Sequence, residues 1–170
     1  IEYQGWSLKK IILTVIESCP QHTFIFLTKR PQNLIKWSPF PENCSVGASV
    51  CNADMLGDAL DGLDDIRCGK RFISAEPLLG SLIPDGLSKA DFSGYLAGTL
   101  DWVIIGAQSG RHKVNPKTEW VKEIVEAADK AGIPVFLKEN LKPLFVPTEE
   151  RFLPPKWAGI ATGIKGEPLE

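Results

Sequence analysis

Only two histidines, His22 and His112, occur among 170 residues, and the four cysteines stand at positions 19, 44, 51 and 68. Those spacings contain neither a Cys-x-x-Cys pair nor a zinc-ribbon pattern, so the sequence offers no zinc site and no His-rich metal cage. The cysteines read as reduced thiols, mostly buried. No segment approaches the ~18 consecutive apolar residues of a membrane span. No basic flank, apolar stretch and small-residue cleavage site compose a signal peptide either. The chain therefore reads as cytoplasmic, with no membrane partner. Neither sign of charge dominates: 19 Lys and Arg stand against 21 Asp and Glu, for a net charge of -2, which excludes a broad basic surface for nucleic acid. The tryptophans are spaced as packing residues and form no stacking platform for bases. There is no Gly-x-Gly-x-x-Gly fingerprint and no Walker-type ending. The aspartates at 54, 58, 61, 64 and 65 lack the alternation of a calcium loop and read as a solvated helix face. No internal repeat or low-complexity tract is present. The opening Ile1-Glu2-Tyr3 carries no methionine, which reads as a chain whose upstream part is missing.

The residues that are present, 44% of them apolar, suit one soluble domain with a sizeable core. Apolar runs at 23–27, 44–50, 70–76, 101–107 and 133–137 are short and continuous, as strands covered on both faces are. Between them lie helical patterns. Ser7 caps a helix with Leu8, Ile11, Ile12, Val15 and Ile16 on one face, ended by Pro20. Pro31 opens a short helix ending near Trp37, and Asn52 caps a helix over 53–66. The connection of about 24 residues after the third run is long for a structureless loop, which predicts a short helix over 88–95. Pro116 opens a further helix that Gly132 stops. The fold class is α/β, with mainly parallel strands joined by right-handed crossovers. At 170 residues the chain is shorter than the roughly 250 of a closed eight-stranded barrel, so the expectation is an incomplete or partial TIM-like barrel over 1–140. Residues 141–170, rich in proline and glycine, are expected to form an irregular extension packed on it.

Each run stops at a small, polar or charged cluster, and parallel α/β proteins hold their ligands at the carboxyl ends of strands. Alternation places Phe72, Ser74 and Glu76 on one face of the third strand, and Phe136, Lys138 and Asn140 on one face of the fifth. An ionised Glu76 needs a partner, because burying it alone costs several kcal/mol, roughly. Lys138 is the first candidate and Lys29 the second. Such a pair either grips a ligand, with catalysis by proton transfer within its reach, or locks strand ends as a salt bridge. Thr28-Lys29-Arg30-Pro31 places a hydroxyl and two cations before a helix start, suited to a phosphate or carboxylate. Gly106-Ala107-Gln108-Ser109-Gly110 is a second turn that permits close backbone approach. Cys51 sits at a strand end with no histidine paired to it, and reads as a bystander.

Five segments carry a resemblance: Phe26-Leu27-Thr28-Lys29-Arg30-Pro31, Val46-Gly47-Ala48-Ser49-Val50, Arg71-Phe72-Ile73-Ser74-Ala75-Glu76-Pro77-Leu78-Leu79-Gly80, Asp101-Trp102-Val103-Ile104-Ile105-Gly106 and Gln108-Ser109-Gly110. In these the chain resembles an uncharacterised phage-associated family, the three-cysteine-motif phage proteins, which are similar to radical S-adenosylmethionine partial barrels. The resemblance runs from about residue 21 to 140 and is most specific at Glu76-Pro77-Leu78-Leu79-Gly80. It implies that this chain is the C-terminal part of an iron-sulfur enzyme. The cysteine-rich segment that would bind a four-iron, four-sulfur (4Fe-4S) cluster and S-adenosylmethionine in the intact protein has no counterpart here, so no cofactor is assigned to this chain. The family's pattern has a second glycine where Ala107 stands and a glutamate where Gln108 stands, so Gln108 receives no catalytic role.

The site residues expected are Glu76 and Lys138 as catalytic groups, with Thr28, Lys29, Arg30, Ser49 and Ser109 as ligand-binding groups and no metal ligands. The expected partners are a phosphorylated or nucleotide-like small molecule and either the absent N-terminal segment or a second subunit. Two other readings stand beside the enzyme: a non-catalytic phosphate or nucleotide-binding module, and a phage-related interaction protein without chemistry.

Overall fold

A computed structural model describes residues 2–3, 6–110 and 113–144. Strands β1 (Glu2–Tyr3) and β2 (Trp6–Ser7) form a small antiparallel pairing. The Ser7 hydroxyl then accepts the Lys10 amide at 3.3 Å and starts α1 (Leu8–Glu17), whose Ile16 is buried. At its far end the Asn43 side-chain amide donates to the carbonyls of Ile16, Cys19 and His22 at 3.3, 3.2 and 3.1 Å, tying the helix terminus to the start of the sheet. Strand β3 (Phe24–Thr28) follows, then a 3-10 helix over Pro31–Lys36, then β4 (Cys44–Ser49). The Asn52 side chain accepts the Met55 amide at 3.1 Å and caps α2 (Ala53–Asp64). Strand β5 (Lys70–Ala75) leads into a loop and α3 (Lys89–Ala97), capped by Ser88. Strand β6 (Trp102–Ile105), α4 (Thr118–Ala131), β7 (Val135–Leu137) and a 3-10 helix over Glu139–Leu144 complete the described chain. Gly132 ends α4 at φ 70°, a left-handed conformation that glycine adopts without a Cβ penalty.

All five expected strands are present, and they form one sheet in the order β3-β4-β5-β6-β7, every neighbour parallel. The order never reverses, unlike that of a doubly wound sheet. Right-handed crossovers that always step the same way gather the helices on one face, which over the described residues is the construction of a partial TIM-like barrel. The main core follows that face. Val46, Ala48, Ile73, Ala75, Val103 and Ile105 meet Leu56 and Leu63 of α2 and Val121 and Ile124 of α4. The opposite, concave face holds a separate cluster of Phe72 and Trp102, with Ile104 and Phe136 packed against it.

Two local expectations shift. The turn opened by Pro31 is a 3-10 helix, and α4 begins at Thr118, after a Lys117 cap that makes no side-chain bond, with Pro116 lying before it. The 3-10 helix over Glu139–Leu144 spans the expected boundary at residue 140 and sends Leu141, fully buried, into the main core. The rest of the expected C-terminal extension, residues 145–170, lies outside the described residues, as do Ile1, Arg111 and His112.

Register organises the concave face into rows. Leu27, Gly47, Phe72 and Trp102 lie side by side across four strands, and Ser49, Ser74, Ile104 and Phe136 form the row above. The Phe72 ring lies over Gly47, where an added Cβ would come within 2.5 Å of it. Phe72 is 1% exposed and held 5.0 Å from the Trp102 ring, so it has little room to yield. Gly47→Ala is therefore expected to destabilise the fold by about 1–3 kcal/mol through overpacking, read as a lower urea midpoint. Gly47→Ala with Phe72→Leu is expected to recover part of that loss.

The cysteines are free thiols. Burial pushes the Cys44 thiol up to about 11 from 9.0, with neighbouring Cys68 adding to the shift. The folded chain then binds more protons than the unfolded one between about pH 9 and 11, so this group's contribution is intact below pH 9 and falls across that window. Urea titrations from pH 8 to 11 are expected to show a steeper alkaline loss for the natural chain than for Cys44→Ala.

Candidate functional site

The next row up lies just beyond the strand ends and contains the site. Glu76 follows β5 with its backbone flanked by buried Ala75 and a cis peptide bond to Pro77. Lys138 follows β7, its amide bonded to the Ile105 carbonyl at 2.9 Å, which sets it beside the end of β6. The Lys138 ammonium sits 2.7 Å from one Glu76 carboxylate oxygen and donates to the other at 2.8 Å. Between the two strands lies Gly106, and a Cβ there would stand 3.1 Å from the Glu76 carboxylate carbon. The carboxylate thus reaches Lys138 across a strand position that carries no side chain.

Asn140 fixes that strand end. Its side chain accepts the Ala107 amide at 3.1 Å and donates to the Ala107 carbonyl at 2.8 Å, satisfying both polar groups of a residue that is 2% exposed. Alternation placed Asn140 on the face of Lys138 without revealing this clamp, because sequence does not say which backbone group an amide will meet. The seat at Gly106 was legible only as a glycine closing a buried strand.

The other expected residues fall in three places. Ser49 is buried in register beside Ser74, one row below Glu76, so it belongs to the floor of the same rim. Ser109 is exposed on the turn after β6, where the Gln108 amide donates to the Val114 carbonyl at 3.2 Å. Thr28, Lys29 and Arg30 gather at the end of β3, two strands from β5; Lys29, the second candidate partner of Glu76, stands in the row of Ser49 and Ser74, one below Glu76, and does not pair with it. The Thr28 hydroxyl accepts the Arg30 amide at 3.0 Å, so that amide is already engaged. Cys51 also closes a strand end, and its carbonyl accepts the Leu79 and Gly80 amides at 3.0 Å each.

Among the described residues no three His, Cys, Asp or Glu side chains form a group that could hold a metal, and no helix is long and apolar enough to cross a membrane. The rim presents a carboxylate and an ammonium one row above the Ser49 and Ser74 hydroxyls and half-buried Ile104 and Phe136. Such a set suits recognition of a small polar ligand with an apolar portion.

The fold and rim define an α/β protein of the partial-barrel kind, with polar groups at the carboxyl ends of parallel strands. A family model described as protein of unknown function (DUF5131) matches residues 6–143, and the chain belongs to that family. No curated protein matches the chain, and no solved structure does.

The Glu76 and Lys138 side chains are 25% and 41% exposed, which places their pair among water-accessible contacts. Exposed pairs contribute roughly 0–1 kcal/mol. A double-mutant cycle with Glu76→Gln and Lys138→Met, followed by urea unfolding, is therefore expected to give a coupling below about 1 kcal/mol. A coupling near 3 kcal/mol would identify the pair as a structural lock.

Proposed function

We propose that the chain supplies the ligand-recognition part of an enzyme, with Glu76 taking the amine or hydroxyl of a small molecule and Lys138 its anionic group. The observation that carries this reading is the Glu76–Lys138 contact itself: two opposite charges joined at 2.7 Å, yet open to solvent at the rim. An incoming zwitterion exchanges that one contact for two charge-assisted contacts of its own. Little is lost by separating groups that are already hydrated. Ser49 and Ser74 offer hydroxyls below, while Ile104 and Phe136 give the apolar part of the ligand a surface. Glu76 is also the group able to take a proton from a bound amine or hydroxyl.

The finer reading carried by the resemblance is a radical S-adenosylmethionine-like enzyme of phage association. The unreversed order of the sheet supports it, as a partial barrel requires. The described cysteines do not fit an iron-sulfur cluster. Thiolates are the ligands of such a cluster, and burial instead raises the pKa of both Cys44 and Cys68. Cys51 stands alone at the carboxyl rim of the sheet, and no metal-holding group of three forms. A cluster in the intact polypeptide would be held by residues outside this chain. Anaerobically prepared intact polypeptide is then expected to contain iron and acid-labile sulfide, and finding neither would sink the radical reading.

A second reading, phosphate binding at Lys29 and Arg30, is favoured by two exposed cations with no ion pair among the described residues. Calorimetric titration of this chain with S-adenosylmethionine and, separately, inorganic phosphate distinguishes the two. Saturable binding of the former is expected, weakened about tenfold to a hundredfold by Glu76→Gln or Lys138→Met and unchanged by Lys29→Ala with Arg30→Ala. Phosphate binding that only the Lys29 and Arg30 variants abolish, with no response to the former ligand, would replace the rim proposal.

A further inference from the structure

We propose that the rim takes a zwitterionic amino acid whose side chain ends in a carboxamide, and that Ser49 and Ser74 are the groups that select that end. The inference rests on the reading that Glu76 and Lys138 grip a charged head, and not on S-adenosylmethionine as the molecule gripped. Ser49 and Ser74 are 7% and 3% exposed and stand side by side in register on β4 and β5. Each lies two residues beyond Gly47 or Phe72, whose contact is on the concave face, so both belong to that face. The residues between, Ala48 and Ile73, enter the main core on the other side. Among the described residues neither hydroxyl has a hydrogen-bond partner, whereas those of Ser7, Ser38, Ser81 and Ser88 each accept a backbone amide. Buried polar groups left without partners are rare in folded proteins and costly to keep. Ser45, 2% exposed at the other end of β4, is also without one, but it stands alone below the Phe72 ring. Only at 49 and 74 do two such hydroxyls adjoin, and there they lie beneath the ion pair.

A free hydroxyl both donates and accepts. Two of them, one strand spacing of roughly 4.8 Å apart, bracket a group that offers one donor and one acceptor. A carboxamide does so, its oxygen accepting from one serine and its nitrogen donating to the other. An ionised tail is poorly served, because the Phe72 and Ile104 side chains beside the serines return nothing for its lost hydration. Lys29 shares the row one strand outward, but it is exposed and keeps its charge in water. Strand rise gives the length of the tail. Glu76 stands two residues above Ser74, roughly 6.6 Å, and a hydrogen bond of about 2.9 Å leaves about 3.7 Å. Three carbon-carbon bonds of about 1.5 Å each span that distance when extended. They correspond to two methylenes and a carboxamide carbon, the side chain of glutamine.

The probes are glutamine, norleucine and glutamate, which share a head and an approximate length, each titrated calorimetrically into the chain. Glutamine is expected to saturate and to bind at least about tenfold tighter than the other two. Ser49→Ala with Ser74→Ala is expected to remove that preference and leave norleucine bound as before. Ser45→Ala, which deletes a buried hydroxyl on the same strand below the Phe72 ring, is expected to change nothing. The urea midpoint of the double variant without ligand is expected not to fall, since the hydroxyls hold nothing in the free protein; a fall would assign them to the fold and overturn the proposal. Glu76→Gln or Lys138→Met is expected to weaken all three probes alike, so head and tail are read separately. Equal affinities that still respond to those two substitutions overturn the tail selection alone. A glutamine preference that ignores them overturns the head-group reading and the inference with it. No saturation at millimolar glutamine overturns the inference, and the head-group reading is then judged by its own titration. A preference for glutamate that Lys29→Ala removes assigns the row to an anion instead.

Discussion

The structure depends on a topological constraint: every crossover in the sheet advances in the same direction, so the helices cover one face only. The helical face builds the main core, and among the described residues the concave face packs its own side chains together. It does so in the middle of the sheet, where the Phe72 ring lies over Gly47 and against Trp102, and fails to do so at the β3 edge, where Ile25 and Leu27 remain exposed. The charged side chains of the same face stand where water reaches it, at the strand ends, with the buried Ser49 and Ser74 one row below. The Glu76–Lys138 pair is the outcome of that geometry.

Much of this was legible because the determinants are local. Ser7 and Asn52 announce helix starts, and each makes the expected capping bond; Ser88 caps α3 in the same way, where the length of the connection predicted only a short helix. Period-two alternation put Glu76 and Lys138 on one face, and a carboxylate so placed required a cation, which the structure supplies. Choosing between Lys138 and Lys29 depended on row register and on what stands between the strands, which periodicity does not encode; β3 and β7 each lie two strands from β5, and the bare Gly106 position lets Glu76 reach Lys138.

What escaped the sequence depends on groups meeting across long separations. The Asn140 clamp joins residues 33 apart through backbone atoms, which every residue has and no pattern marks. Pro31 was compatible with either an α or a 3-10 start, and Gly62 of α2 packs against its backbone, where a Cβ would come within 2.8 Å.

The rows of the concave face also divide labour along the chain. Gly47, Phe72 and Trp102 hold the sheet in shape, whereas Ser49, Ser74, Glu76 and Lys138 sit one or two steps nearer the mouth. On β4 and β5 a packing residue is thus followed by polar ones nearer the mouth, so a substitution at the tips changes the chemistry presented there and leaves the foundation beneath it standing.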